Sequence, residues 1–562
     1  MHTHKILRIA KNNSHLQDQL IKNLKISPVL SQVLINRGIT SVEQAENFLN
    51  VKLEHILDPF HFKDMSKALN RIHQAIRKKE KVLIFGDYDV DGITSVAILK
   101  AALAKMDLET LHYMPHRIKE GYGLTKNILN IAKDKNIKLL ITVDCGTSNH
   151  KEISELKEHG IDTIITDHHE PHDDHLPPAL SIINPKVKES GYKYRDLAGV
   201  GVTYKLCQAL SGKKLMEELD LVALGTIADV VPLTGENRVI VKEGLCRLGA
   251  TKRPGLQALI SSAGIKNKKF NTTMVSFILA PRINASGRMD SAETALNLLM
   301  SLSLKEAENF SGILESHNRS RQKVESKIME EAQDIINREI NFKDHKVIVV
   351  AKEDWHQGVL GVVASKLADR FYRPTIVISL SEDMCKGSGR SIKNFHLFHA
   401  LGECREFLNT FGGHAHAVGL TIARNSVNEF RNSINRLAHD KLALEDLLPG
   451  LDIDMELSLE DLNEKMVMEL ERLEPFGAGN PEPLFYTKCL LLNGVPQILA
   501  RQTLKFRVTD GKSSFEVIAF GMASLSQSVI QAKRLDLVYT LRMDNWQDSS
   551  SIILEAKEIF FG

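Results

Sequence analysis

The sequence predicts an α/β protein of several domains, with two α/β lobes joined by a long helix and a small β-barrel at the C-terminal end. Three observations carry this expectation. From Lys81, short apolar runs (KVLIFG, KLLITV, DTIIT) alternate with helical stretches (ITSVAILKAALAKM, HKEISELKEHG), the pattern of parallel strands with crossover helices. Near residues 300–340 the run SLKEAENFSGILESHNRSRQKVESKIMEEAQDIINREI contains no proline and one glycine. A helix of about 30 residues there spans roughly 45 Å. Beyond LALEDLLPGLDIDMELSL, segments such as TLKFRVTDGKSSFEVIAF alternate apolar and polar residues, and Asp510-Gly511 marks a hairpin turn.

In chain order, residues 1–75 read as short amphipathic helices (SPVLSQVLINRG, SVEQAENFL, MSKALNRIHQAIRK) forming an N-terminal helical cap. Residues 76–300 form the first α/β lobe and 301–340 the connecting helix. Residues 341–445 form the second lobe, with HKVIVVAK and PTIVISL as strands around the helix GVLGVVASKLADRF, and 446–562 form the barrel. The length of 562 residues agrees with this division, at roughly 100 to 200 residues per domain. Apolar residues at 43% and charged residues at 25% exclude a disordered chain and a coiled-coil rod.

Lysine and arginine total 72 against 70 aspartates and glutamates, so any polyanion must be held by local patches and not by overall charge. The six cysteines are scattered without a C-x-x-C pair, which excludes a zinc ribbon or disulfide framework and points to a reducing compartment. The N-terminal stretch MHTHKILRIAKNN has no signal-peptide core, and no run approaches the ~18 apolar residues of a membrane span. A cytoplasmic protein is expected, with no membrane partner.

The chemistry is expected at strand ends. VLIFGDYDVDG places Asp87, Asp89 and Asp91 at alternate positions just past an apolar strand; in an extended segment these side chains point the same way. Negative charge concentrated in this way calls for cations. An EF-hand also opens D-x-D-x-D-G, but its twelfth position, a glutamate in calcium loops, is Ile98 here. KLLITV runs into Asp144 and DTIIT into Asp167, His168 and His169. Ligands in open parallel sheets collect at the carboxyl ends of strands, so the three tips should converge. Asp229, after the apolar run LVALGTIA and before two valines, needs a partner in so apolar a setting. Carboxylates with one or two imidazoles and no thiolate suit Mn²⁺ or Mg²⁺. Two ions about 3.5 to 4 Å apart are expected, which makes phosphoester hydrolysis the leading reaction class.

GDYDVDG, VDCG, TDHH and the later Asp229 together resemble the DHH phosphoesterase superfamily. DWHQGVLGVVASKL, KGSGRS and GGHAHAVGL resemble its associated domain (DHHA1), and PRINASGR between the lobes is similar to the RecJ family. His416 in GGHAHAVGL departs from the expected pattern. The resemblance implies metal ligation by Asp89, Asp91, Asp144, His168 and Asp229, with Asp87, Asp167 and His169 at the ions or directly behind their ligands. It also implies a 5′-to-3′ exonuclease that degrades single-stranded DNA to mononucleotides in repair and recombination. The implied protein is a monomer, with a helicase and a single-strand-binding protein as further partners. A phosphodiesterase of short oligonucleotides or nucleoside bisphosphates is the alternative enzyme, and a non-catalytic scaffold the alternative of another class. The barrel favours a long polymer over the first, and the intact motif acids count against the second.

Four segments combine glycine, serine and cationic residues: PHRIKEGYG (Arg117, Lys119), PRINASGR (Arg282, Asn284, Arg288), KGSGRS (Lys386, Ser388, Arg390) and GGHAHAVG (Gly412, Gly413, His414). Glycines let backbone N–H groups approach an anion and arginine adds forked donors, so a phosphodiester track between the lobes is expected. Arg390, with Ser388 beside it and Arg117 opposite, is the expected reader of a 5′ phosphate. The C-terminal segment resembles an OB-fold, for which Phe485, Tyr486, Phe506, Phe515 and Trp546 are candidate base-stacking platforms.

Overall fold

The computed structural model describes residues 5–125, 127–171, 175–266, 268–382, 384–544 and 551–562. They form two compact units, 58–229 with 243–449, and 5–57 with 230–242 and 450–562.

The first unit holds both α/β lobes. Its first sheet is wholly parallel, in the order Thr110–Tyr113, Lys81–Gly86, Ile137–Val143, Asp162–Thr166, Ser181–Ile183. The central strands are buried along almost their whole length, which is why they read as continuous apolar runs. The short outer strands Thr110–Tyr113 and Ser181–Ile183 lack such a run and were not expected. The chain leaves Lys81–Gly86 toward one neighbour and returns on its other side as Ile137–Val143, so the sheet has its switch point between these two strands.

The expected connecting helix is Leu304–Glu339, 36 residues and about 54 Å long. Ser303 caps it by accepting from the Glu306 N–H. Its first part packs on the helices Pro254–Ser262 and Ala280–Met289. Its last part buries Ile328, Ala332, Ile335 and Ile336 against Val359, Leu360 and Val363 of the second lobe. That lobe has a mixed sheet in the order Leu408–Gly413, Ala417–Ala423, Met384–Arg390, Thr375–Leu380, Ile348–Glu353.

In the second unit, Phe485–Leu492, Leu535–Asp544, Ser551–Phe561, Ser514–Ala519 and Thr503–Thr509 pair in turn, and Leu491 and Leu492 pair with Thr509 and Val508 to close the ring. A closed ring of five strands is the OB architecture. Residues 5–57 do not make a cap of their own. Ile6–Ile9 pairs in parallel with Gly450–Ile453, and Leu20, Leu30, Val33, Leu34 and Ala45 share one core with Phe485, Leu504 and Tyr539. The remaining helix of the expected cap, Met65–Lys78, belongs to the first unit. Amphipathic periodicity shows that these helices bury one face, but it does not name the partner that covers it.

One cation holds the second unit together at depth. Arg238, 2% exposed, lies 4.0 Å over the Phe48 ring and donates to the carbonyls of Phe48, Arg472 and Leu473 at 2.8–3.0 Å. Arg238→Ala orphans these carbonyls and opens a cavity. A loss of about 3 kcal/mol or more is expected in urea denaturation followed by a probe in this unit; a loss below about 1 kcal/mol would contradict this role.

Candidate metal centre and anion pocket

The acids gather where the sheet topology places a crevice, at the tips of the two strands flanking the switch point and of the strand beside them. Asp87 follows Lys81–Gly86, Asp144 follows Ile137–Val143, and Asp167, His168 and His169 follow Asp162–Thr166. Asp87, Asp89 and Asp91 do not lie on an extended segment. The helix Val90–Ala104 begins inside the motif, with Asp89 as its N-cap accepting from the N–H groups of Asp91 and Gly92 at 3.0 and 3.1 Å. Capping chemistry overrides the alternation, and the three carboxylates converge around a strand-to-helix turn.

Asp91, 1% exposed, accepts from Gly199 and Val200 N–H groups at 2.7 Å each and so caps the helix Gly199–Ser211. Gly199 must be glycine here, because a Cβ would lie 2.4 Å from Asp144 Oδ1. Gly225 is similarly constrained, since its Cβ would come within 2.4 Å of Thr94 Oγ1 and 3.2 Å of Asp91 Oδ1. Asp144 has φ 61°, a left-handed conformation that aspartate tolerates better than most residues. Asp229 has the partner its sequence setting calls for. It ends the helix Leu219–Ala228 and faces His168.

His168 Nε2 lies 3.3 Å from Asp144 Oδ1, 3.5 Å from Asp229 Oδ2 and 3.8 Å from Asp91 Oδ2. Asp87 Oδ1, Asp144 Oδ1, Asp229 Oδ2 and both His168 ring nitrogens are buried without a hydrogen-bond partner. Three sets of ligand atoms fall within 4.8 Å of one another: Asp91, His168 and Asp229; Asp87, Asp89 and Asp144; Asp144, His168 and His169. Orphaned oxygens and neutral imidazole nitrogens converging on a buried space fit hard divalent cations. Asp167 differs from the other acids. Its Oδ1 accepts from the His168 and His169 N–H groups and from His169 Nδ1 at 2.8 Å, and its Oδ2 accepts from Thr147 N–H. It fixes the His169 ring.

The electrostatics follow from this packing. Burial and then Asp89 push Asp87 up to about 8. Burial and neighbouring carboxylates also raise Asp89, Asp91 and Asp144. Burial lowers His168 to about 4, leaving it neutral. His169 rises to about 9 in spite of burial, because Asp167 pairs with it, and Asp167 falls below the usual carboxylate range.

Beside this cluster the two lobes of the first unit form a cationic pocket. Arg117 stacks 4.9 Å over the Tyr88 ring, Arg288 donates to Gly358 O at 3.3 Å, and Arg390 donates to Gly389 O at 2.9 Å. Burial, then Arg117, Arg321 and Arg390, lowers Arg288 to about 9; burial and Arg117 lower Arg390. No carboxylate pairs with these three among the described residues, so an anion is the missing counter-charge. Ser388 lines the adjoining cavity, as do Arg117 and Gly412. His414 lies 6.4 Å from His169, ring to ring.

Several expectations about this track change. PRINASGR is not a glycine loop but the helix Ala280–Met289, in which Gly287 permits close packing, its Cβ position lying 2.8 Å from Tyr88 O. Asn284 and Arg288 share a face of that helix at i, i+4. Arg282 is tied to Glu315 of the long helix at 2.8 Å. KGSGRS is a strand whose Gly387 and Gly389 face the core against Leu420 and Val418, while Ser388 and Arg390 point the other way. Gly413 packs beneath Ala417 O, and the His416 carbonyl accepts from Ser391 N–H at 3.0 Å.

The sequence reading missed Tyr122, whose hydroxyl lies 3.0 Å from His169 Nδ1. The signal was available: an aromatic between two glycines, both at positive φ (84° and 83°), within a segment already selected for Arg117. In the barrel, Phe485 and Phe506 are core with Phe515 half-buried against them, and Tyr486 is buried in a separate cluster with Ile453 and Val538. Trp546 lies outside the described residues. Phe520, 62% exposed, and Phe561 are exposed barrel aromatics among the described residues.

A metal test follows from the raised acids. Their folded pKa values exceed the unfolded ones, so the metal-free folded state binds more protons than the unfolded state. Its stability therefore falls as pH rises from about 4, the unfolded carboxylate value, toward 8. Divalent cations oppose that loss. The Tm gain on adding Mn²⁺ is expected to grow between pH 5 and 8 in differential scanning fluorimetry. A gain independent of pH would contradict the placement of these acids.

Comparison with known proteins agrees with this geometry. The chain matches the DHH family N-terminal domain over residues 81–226, the DHHA1 domain over 344–440 and the RecJ OB domain over 453–558. It is 40% identical to the single-stranded-DNA-specific exonuclease RecJ of Bacillus subtilis, over 96% of this chain and 69% of that protein. Its structure superposes on RecJ of Thermus thermophilus in complex with Mn²⁺ with a TM-score of 0.85 at 27% identity, covering 100% of this chain and 80% of that one. With the Mg²⁺ complex the TM-score is 0.76 at 26% identity, covering 99% and 78%. The chain thus belongs to the RecJ family of single-stranded-DNA-specific exonucleases.

Proposed function

We propose that this chain removes mononucleotides from the 5′ end of single-stranded DNA. The observation that carries the direction is the group Arg117, Arg288 and Arg390, held without carboxylate partners among the described residues next to a centre of carboxylates that needs cations. A metal centre handles a phosphodiester from either side, so polarity requires a reader of the terminus. A 5′ phosphate, with up to two negative charges, is what forked guanidinium donors recognise.

In this reading Asp89, Asp91, Asp144, His168 and Asp229 hold divalent cations, with Asp87 completing the carboxylate wall. Bound there, Mn²⁺ or Mg²⁺ supplies the positive charge that activates water and stabilises the phosphoryl transition state. Asp167 keeps the His169 ring oriented by accepting from Nδ1. Arg390 and Arg117 grip the terminal phosphate, Ser388 adds a hydroxyl donor, and Arg288 keeps the pocket cationic. In the same reading His414, near His169, and Asn284 contact the strand. The barrel holds the following single strand, with the exposed Phe520 as its stacking platform. Action as a monomer, in the cytoplasm, alongside a helicase and a single-strand-binding protein belongs to the same reading. Among the described residues no helix is long and apolar enough to cross a membrane.

Asp144→Asn keeps the left-handed backbone and the shape but removes the charge. It is expected to abolish hydrolysis of 5′-labelled single strands in Mn²⁺ while circular dichroism and Tm stay near wild type; a rate within a few fold would contradict the assignment. Arg390→Ala removes one charge-assisted contact, worth about 1.5 to 3 kcal/mol. The preference for 5′-phosphorylated over 5′-hydroxyl strands should then drop roughly 10 to 150 fold. An unchanged preference would place the reader elsewhere.

A further inference from the structure

The cavity between the Arg117 loop and the second lobe measures about 700 Å³, far more than one phosphate fills. Its floor is the second-lobe sheet. Along Met384–Arg390 the side chains of Lys386, Ser388 and Arg390 alternate with the inward glycines and therefore share one face. Two residues of strand advance about 6.6 Å, so the three make a ladder of about 13 Å. Lys386 is in register with Thr421, and Thr421 with Thr410, their hydroxyls 2.7 Å apart. Ser388 is in register with Gly419, and Gly419 with Gly412. A Cβ on Gly419 or Gly412 would meet nothing within 4 Å, so this row is bare backbone beneath open space.

The ladder has a direction. Arg390 is in register with Ala417, whose carbonyl accepts from the His414 N–H, and His414 adjoins His169 of the metal centre. The Lys386 end lies two rungs further away. There Lys386 Nζ donates across the cavity to Ile118 O at 3.0 Å, next to Lys119. Glu120 also lines the cavity, but its carboxylate is engaged by the Tyr113 hydroxyl and the His116 N–H.

If the terminal phosphate sits at Arg390 and Arg117, the space beyond it is cationic, hydroxyl-lined and open, where a simple end stop would be closed. We propose that this outer half of the pocket, Lys386 with Lys119, Thr410 and Thr421, receives the additional phosphates of a 5′-polyphosphorylated strand. The protein then accepts 5′-triphosphate ends as well as monophosphate ones. This inference rests on the reading of Arg117, Ser388 and Arg390 as the terminal-phosphate site. On such an end, a water oxygen bonds to the phosphorus between the first and second nucleotides and the P–O3′ bond breaks. The 3′ oxygen leaves with a proton. The first product is a nucleoside 5′-triphosphate, and the shortened strand begins with a 5′ monophosphate.

The test compares single strands of one sequence carrying a 5′ triphosphate, monophosphate or hydroxyl, with the full-length protein and Mn²⁺ in excess over all phosphate. Chromatography identifies the first product, and fluorescence anisotropy with Ca²⁺ in place of Mn²⁺ follows binding. Triphosphate strands should be cut at a rate within a few fold of monophosphate strands and release an intact nucleoside triphosphate first. Lys386→Ala, a change at an exposed side chain, should lower the ratio of triphosphate to monophosphate affinity about tenfold. Monophosphate strands preferred while triphosphate strands do no better than hydroxyl strands would overturn the inference alone, as would a ratio unchanged by Lys386→Ala combined with Lys119→Ala. A wild-type protein that does not distinguish monophosphate from hydroxyl would overturn the terminal-phosphate reading, and this inference with it.

Discussion

Mutual repulsion among buried carboxylates is the constraint on which the rest of the first lobe depends. Asp87, Asp91 and Asp144 are each 5% exposed or less, and Asp89 and Asp229 complete the group. Unpaired charges at such depth are strongly unfavourable, and proteins relieve them by protonation or by a counter-ion. The upward shift of four of these acids is the first form of relief, and bound cations are the second. A fold built for stability alone would place apolar side chains here. This one places carboxylates at the switch point of a parallel sheet, where the backbone already leaves a crevice.

The surrounding structure is shaped to hold them close. Asp89 and Asp91 each cap a helix, so backbone N–H groups and helix dipoles offset part of the charge before any ion arrives. Gly199 and Gly225 remove the side chains that would separate those helices from the acids. Asp167 pairs with His169 and takes no part in the repulsion, which leaves His168 as the neutral ring among three carboxylate oxygens. The arginines across the cleft are the complementary case, positive charges awaiting an anion. The proposed phosphate site and the carboxylate cluster thus lie side by side, as phosphodiester hydrolysis would need.

Much of this was legible in the sequence because it is local. Apolar runs ending in Asp87, Asp144 and Asp167 announce strand tips, and parallel strands bring their tips to one edge. The long helix shows itself by lacking proline. What escaped depends on partners distant in the chain. Residues 5–57 carry helical periodicity, but only the folded chain shows their shared core with the barrel. Glycines in KGSGRS and PRINASGR look alike in sequence, whereas in the structure they serve sheet and helix packing. Arg282 is as basic as Arg288, yet a glutamate 33 residues later claims it. Phe485 and Phe506 fill the barrel interior, whereas Tyr486 packs in a separate cluster with Ile453 and Val538, and alternation alone does not say which face is inside.

The most direct test of the central claim is the stoichiometry of Mn²⁺ binding by the full-length protein, read by electron paramagnetic resonance of free ion at neutral pH. Carboxylates in this number, shared around Asp144, are expected to bind two ions per chain, and Asp144→Asn to lose both or retain one weakly. Wild-type protein that leaves all Mn²⁺ free, or an Asp144→Asn protein that binds as the wild type does, would contradict the account.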